Sequence, residues 1–561
     1  MLFALATKRT GISSGVLGVR LDFADREIGN SVSHHGVTFL SSGVTSVYDG
    51  DVVAEVGFLA APPAPSPDTS AAGAVTLTAG GRNYVAIYSW TDAVGNVHLS
   101  GISPTSGLTG NVAAKKIVVS VSGIALANER PVDILVYATV DGGEPPYYLV
   151  GSVANNPEGV VTVTDNLIDA DLAARAKLYA PQLPGTVGEA LDRRAPAGLR
   201  NLVSYAGMLV GTVNDTLVFS GQEVSGEGTW FSPIFEVPVV GGAFTGLRAQ
   251  DGYLVNFKQG EIYTVIGEAP SDNGAAGGFG TPRLASADYG CIDSNSIVGT
   301  QFGIFFQSAR GIEIFSRSQT VEWIGEPVVD TLDAYPNVTS AVVDSRSSLV
   351  RFTLAASLTS GVVGTGGRDL VFDLSTKGWI SVDDRLNDEA AQHAATIRFA
   401  GSSSQNIYAW LGSNGVVHLE RSRGDASECL DDASFVQSQY TPPPLTFGLQ
   451  QEQRVYEAEL SFERVAAADI VVEVAEDYGA FGATTADKIW ASADIAGKPM
   501  VPFRTKSHGH AVQYRIRDRA PAAGGSLGNG RGVTFIGLSV DAGAKQGATR
   551  GTTRANPELR R

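Results

Sequence analysis

Apolar and polar residues alternate with a period of two along most of the chain. In 201–222, NLVSYAGMLVGTVNDTLVFSGQ, two such runs flank Asn214-Asp215. In 247–267, LRAQDGYLVNFKQGEIYTVIG, the residues Tyr253, Val255 and Phe257 alternate, 258–260 makes a turn, and Ile262, Thr264 and Ile266 return. Period-two runs separated by short polar turns predict antiparallel strands. Residues 301–328, QFGIFFQSARGIEIFSRSQTVEWIGEPV, repeat the scheme with strands at 303–307, 312–316 and 321–324. Arg310 lies at the tip of the first turn, where it is expected to order that turn or reach a neighbouring subunit. Phe305 and Phe306 fall on opposite faces of their strand, so one is expected in a core and the other at an inter-unit contact.

Further units pair 349–354 with 369–374 and 379–382, and 396–399 with 406–411 and 416–419. The units begin near 201, 247, 297, 341 and 395. A spacing of about 45–54 residues is that of four-stranded propeller blades, although unrelated β-meanders would share it. A sixth unit is expected to combine the N-terminal strands at about 30–57 with a strand near 435–450, because joining both chain ends removes exposed sheet edges.

The region between the N-terminal strands and the unit at 201 differs. APPAPSPDTSAAGA (61–74) reads as a linker. Runs at 83–104, 116–124, 133–153 and 159–166 have the spacing of a fibronectin-type or immunoglobulin-like sandwich. Beyond about 446, clean alternation in 454–464, 469–479, 511–518 and 532–543 predicts a second sandwich. The best helical candidate is 168–179. The expected fold class is all-β: a six-bladed β-propeller with an inserted fibronectin/Ig-like β-sandwich and a C-terminal β-sandwich. The expected divisions are 1–60 for N-terminal propeller strands, 61–185 for linker and insert, 186–445 for the blades, 446–543 for the C-terminal sandwich and 544–561 for a basic tail.

Composition narrows the function. The chain has 41 Lys+Arg against 58 Asp+Glu, a formal net charge of -17, which argues against gripping nucleic acid through its phosphates. It remains compatible with surrounding DNA that passes without being held. The two cysteines, Cys291 and Cys429, form no metal-binding pair. The start, MLFALATKRTG, is too short for a secretory h-region, and no apolar run approaches the roughly 18–20 residues that span a bilayer. Synthesis in a reducing cytoplasm is expected. The final segment carries Lys545, Arg550, Arg554, Arg560 and Arg561 against Glu558, and is expected to be ordered only by a partner.

Candidate chemistry is sparse. Asn273–Gly280 (NGAAGGFG) lacks the Lys-Ser/Thr of a phosphate loop. His34-His35 and the pair His508 and His510 lack ligand partners at metal spacing. Asp383-Asp384 and Glu476-Asp477 are adjacent on strand patterns, which sends their side chains to opposite faces and denies them one shared site. The stretch 226–230, GEGTW, is like the end of a sialidase-type Asp box without its Ser and Asp, and reads as a turn into a buried Trp. Arg423-Gly424-Asp425 reads as a polar turn. No catalytic residue, metal ligand or cofactor site is assigned. Arg310, Arg550, Arg554, Arg560 and Arg561 are the interaction candidates.

Three stretches carry a resemblance: LVSYAGMLVGTVNDTLVFSGQ at 202–222, DGYLVNFKQGEIYTVIG at 251–267, and YGCIDSNSIVGTQFGIFFQSARGIEIFSRSQTVEWIGEPVVDTL at 289–332. With 514–547, they resemble the tail nozzle (packaged-DNA stabilisation, or tail tubular B) proteins of short-tailed bacteriophages. The resemblance covers about 190–450 and part of the C-terminus, and the insert at 75–185 departs from the smallest members. It implies a virion location and a ring of subunits, usually six, at the distal end of the tail. Tail adaptor or tube proteins and tail fibre or needle proteins would be its neighbours. Packaged double-stranded DNA would pass through without specific binding. An acidic lumen would repel the DNA backbone over only about 8 Å at physiological salt. The basic tail would dock on an acidic surface of a neighbouring subunit or tail protein. The alternative reading is a glycan-binding or glycan-degrading propeller, with Trp379 and Trp410 as an aromatic platform.

Overall fold

The computed structural model describes residues 30–41, 43–125, 130–157, 159–178, 193–268, 278–344, 347–359, 362–363, 366–385, 390–398, 406–413, 415–420, 435–446, 453–464, 466–481, 488–504, 507–522 and 532–544. The fold is nearly all β, built from many small antiparallel sheets. The chain divides into two units, 1–419 and 420–561.

Six small sheets follow one another along the first unit, each an antiparallel meander whose strands pair in chain order. The first sheet comprises Ser31–His34, Val37–Leu40, Ser46–Tyr48 and Val53–Glu55. The second to sixth begin at Arg200, Phe244, Val298, Asn337 and Ala391, all within four residues of the expected starts. The sixth has three strands, Ala391–Arg398, Asn406–Gly412 and Val417–Leu419. Turn chemistry sets the registers. Val213 pairs with Thr216 across Asn214-Asp215, with Asn214 at φ 53°; Asn tolerates this left-handed conformation at low cost. Ser308 pairs with Gly311, leaving Ala309 and Arg310 as the two turn residues.

Each sheet packs on the next, and the first strands carry much of that contact: Ser31–His34 lies against Arg200–Tyr205, and Arg200–Tyr205 against Phe244–Gln250. Phe305 and Phe306 show what this does. Phe306 meets Phe257 of the third sheet at 5.1 Å, whereas Phe305 meets Phe372 of the fifth at 5.3 Å. Both are fully buried. The fourth sheet is thus covered on both faces: the expected inter-unit contact is made by both Phe residues, and each fills an inter-sheet gap. Fully burying a Phe stabilises by roughly 1.5–3 kcal/mol.

Among the described residues, the N-terminal strands form a four-stranded sheet of their own. The short strand Gln439–Tyr440 pairs instead with Arg517 and Ile516 of the second unit. This corrects the expected sixth unit and moves the boundary from 445 to 419. The physical reason is local: the N-terminal segment pairs four strands in chain order from Ser31–His34 to Val53–Glu55, and Gln439–Tyr440 finds its partner in Val512–Arg519. The first sheet therefore has no vacancy between its strands.

The insert forms a three-stranded sheet (Ser66–Asp68, Ile117–Ser122, Val160–Asp165) and a four-stranded sheet (Tyr84–Thr91, Val97–Leu99, Val132–Ala138, Tyr148–Ala154), with a two-stranded ladder alongside. Their facing residues, among them Tyr84, Ile117 and Val163, belong to one apolar cluster that continues into Phe39 of the first sheet and Leu209 and Phe231 of the second. The expected helix at 168–179 shrinks to Asp169–Ala173. Residues 176–178 are drawn onto a sheet edge instead: Leu149 N–H donates to Ala176 O at 2.8 Å, and Leu178 N–H to Tyr147 O at 2.8 Å.

In the second unit, Gln439–Tyr440, Val512–Arg519, Asp469–Glu476 and Lys488–Trp490 form one sheet. Met500–Phe503, His508–Gly509, Gln453–Arg464 and Val533–Ala544 form another. Leu460, Phe462, Val472, Trp490 and Tyr514 share their core.

Candidate functional site

Among the described residues, most buried charges are tied to a partner charge. Within the insert, Arg82 is fully buried, with Nη1 2.7 Å from Asp165 Oδ2, and Tyr84 Oη donates to the same carboxylate at 2.6 Å. Burial and the adjacent Asp165 charge push the Tyr84 hydroxyl pKa up, so Tyr84 stays a donor. Lys258 is also buried, and its Nζ donates to the carbonyls of Val239, Val240 and Gly242 at 2.5, 3.0 and 2.6 Å. It closes the loop between the second and third sheets. Glu473, buried in the second unit, receives Arg515 and Arg517. These partners are far apart in sequence, and no local pattern advertises them.

Arg310 occupies the turn of the fourth sheet. Its Nε donates to Glu313 Oε1 at 3.1 Å, and its guanidinium lies 4.1 Å from the Tyr289 ring centre and 4.9 Å from that of Trp323. Glu313 is fully buried, and Ser308 Oγ donates to the same oxygen at 2.8 Å. Ser308 Oγ also accepts from the Arg310 backbone N–H at 3.0 Å. The cation therefore holds its own hairpin. Its side chain is 34% exposed, which leaves one edge at the surface.

The acids and aromatics weighed for glycan chemistry are spread out. Asp383 pairs across the strands with Asp369, while Asp384 sits on Arg368 at 2.7 Å. Asp369 is held by Arg385, and burial raises its pKa in spite of that partner. Trp379 packs on Phe352 and Phe372 and donates to Ile324 O at 2.7 Å, which sets it, half-buried, against the core. Trp410 stacks on His418 at 3.9 Å beneath Arg385. Glu476 ends a strand, and Asp477 caps the turn below His510. Cys291 is buried, and desolvation pushes its thiol up to about 12, an unreactive state.

An open cleft of about 630 Å³ lies where the first sheet, the second sheet and the insert meet. His35, Asn96, Gln222, Glu223 and Ser225 supply its polar side chains. His35 Nε2 is 3.7 Å from Glu223 Oε1. Next to it, His34 is buried, with Nδ1 3.0 Å from Ser204 Oγ. One wall is the insert's hairpin turn at 92–96. Val97 N–H donates to Gly226 O at 3.0 Å, and Gly228 N–H donates back to Val97 O at 2.8 Å. Gly228 is required here because a Cβ would fall 2.5 Å from the His98 ring. Burial acts to raise the Asp92 pKa, but hydrogen bonds from His98 and Asn96 hold it down at about 2. The GEGTW stretch is thus a docking strip that leads into the buried Trp230. The cleft can accept a small polar group, yet its side chains are mostly engaged in the joint.

Among the described residues, no group of three or more His, Cys, Asp or Glu is placed to hold a metal ion. No helix there is long and apolar enough to cross a membrane. Arg550, Arg554, Arg560 and Arg561 lie outside the described residues, as do Arg423-Gly424-Asp425, Cys429 and positions 273–277 of the Gly-rich stretch.

No family model matches the chain, and no curated protein matches it. Solved structures overlap it weakly. The Dos1 propeller covers 65% of this chain and 84% of its own at 11% identity, with a TM-score of 0.25. The computationally designed Ika8 protein covers 64% and 99% at 11% identity and 0.22. A glycoside hydrolase family 43 arabinoxylan arabinofuranohydrolase from Bacillus subtilis covers 84% and 96% at 9% identity and 0.17. Scores this low carry no argument about fold or function.

Two outcomes test the site. Arg310→Ala strands the buried Glu313 and should cost about 2–3 kcal/mol in urea unfolding; Arg310→Ala/Glu313→Gln should recover at least about 1 kcal/mol of that. Purely additive losses would show that the pair is not coupled. Burial lowers the His34 pKa below its usual 6.5, with Glu223 opposing and His35 adding to the shift. The unfolded chain therefore binds the extra proton first. Stability from this group is full above about pH 6.5 and is lost as pH falls through the lowered folded value. Unfolding midpoints measured across that range should drop less in His34→Gln than in the parent; equal slopes would remove His34 from the account.

Proposed function

We propose that the chain is a virion structural protein, a subunit of the tail nozzle ring of a short-tailed bacteriophage. In this reading the six sheets are the blades of a propeller, the insert follows the first blade, and the second unit is the C-terminal sandwich. The observation that carries the reading is the placement of the resembling stretches. Residues 202–222, 251–267 and 289–332 fall in the second, third and fourth sheets, the last two joined by the Phe257–Phe306 contact and by the Arg317–Asp251 ion pair.

A wall for passing DNA needs rigidity and little affinity. The sheet-to-sheet packing supports the first. The excess of 58 acids over 41 bases supports the second, because each exposed cation would add a salt-dependent hold on phosphate. Retention and ejection of the genome then follow from ring geometry and from the neighbouring tail proteins. Homohexamer formation, virion location and these tail partners belong to the same proposal.

Electron microscopy of the purified chain, alone and on tail assemblies, tests it. The expected result is a ring of about six subunits around an open channel lined by Asp, Glu and small polar residues. A lumen belted with Lys and Arg, or an inert monomer on both samples that binds or cleaves glycans, would overturn it.

A further inference from the structure

The sheet of Met500–Phe503, Gln453–Arg464 and Val533–Ala544 closes the second unit's core with one face and leaves the other open. On the open face Ile536 is 69% exposed and Met500 48% exposed. Around them lie four exposed or half-buried acids, Glu457, Glu459, Glu463 and Asp541. Glu457 stands directly across from Asp541, a like-charge pairing that destabilises a sheet. Among the described residues, the basic ones there are Arg504, 3.9 Å from Glu457 and 80% exposed, and Arg454 at the end where the last strand stops. The face combines an apolar centre with an incompletely neutralised acidic surround.

The chain runs from the end of this sheet, at Ala544, into residues 545–561. These carry Lys545, Arg550, Arg554, Arg560 and Arg561 against a single acid, together with Pro557 and Leu559. We propose that residues 545–561 fold back over the open face of their own chain, setting arginines against the four acids and apolar residues against Ile536 and Met500. The lengths agree. Glu457 to Glu463 spans about 20 Å along the strand, and Arg550 to Arg561 reaches at most about 40 Å when extended. Residues 545–549, with Gly547, remain for the reversal. The tether favours the same chain over a second copy, because it holds the segment at an effective concentration on the order of millimolar. This inference stands whether or not the chain forms a ring.

Zero-length carbodiimide coupling tests it on the full chain carrying Arg554→Lys, using a mixture of isotopically heavy and light protein. At about 20 mM salt, the lysine at 545 or the one introduced at 554 should couple to peptides containing Glu457, Glu459 or Asp541, within chains of one isotope. Coupling should fall by about fivefold at about 0.5 M salt, where screening shortens to a few ångströms. It should fall similarly in Glu457→Gln/Glu459→Gln/Asp541→Asn. The salt arm leaves the face unaltered, so misfolding of that variant cannot mimic the result. Links between heavy and light chains, links the triple variant leaves unchanged, or no links at low salt would each overturn the proposal.

Discussion

Arg130 is the interaction around which the first unit is organised. Its side chain is fully buried, its Nη2 is bonded to the Glu55 carboxylate, and its Nη1 donates to Glu55 O at 3.3 Å. The guanidinium lies 4.0 Å from the Phe58 ring centre and 5.6 Å from that of Trp90. An ion pair this deep loses its hydration, and the Glu55 carboxylate and carbonyl and the two ring faces offset that loss in part, while the buried Nε has no hydrogen-bond partner among the described residues. Those partners come from the first sheet, the turn after it and the insert. Each is held in place because the others are, and the cluster containing Phe39, Phe58, Trp90, Leu209 and Phe231 runs through all three regions. An insert of about 100 residues is thereby part of the scaffold rather than an appendage.

The same logic recurs along the chain at smaller scale. Phe305 and Phe306 couple one sheet to both neighbours, Lys258 fixes a loop between sheets, and Arg310 is committed to a carboxylate inside its own hairpin. Charges that could have served as free catalytic groups instead fix registers and loops.

Much of this was legible from local chemistry. Period-two alternation located the strands because most have at least one buried face, and Asn214 marked its hairpin because few residues accept positive φ. Adjacent acids such as Asp383-Asp384 could be set aside from strand geometry alone, and they do lie on different partners. Long-range facts were not legible. Nothing near Arg82 or Arg130 points to Asp165 or Glu55, since those pairs exist only once distant strands meet. The strand at 439–440 carries no mark of the sheet it joins, so its assignment to the N-terminal sheet failed. The helix expected at 168–179 failed for a related reason: a sheet edge satisfied the backbone of 176–178 better than another helical turn.

Native-state hydrogen exchange across the joint tests the central claim most directly. If the first sheet, the insert and the second sheet are one cooperative body, the amides of Val37–Leu40, Tyr84–Thr91, Val132–Ala138 and Met208–Val213 should reach a common opening free energy as denaturant is raised, and Arg130→Ala should lower all four together. Separate opening of the insert strands at markedly lower free energy, with the two flanking sheets unaffected by Arg130→Ala, would contradict the account.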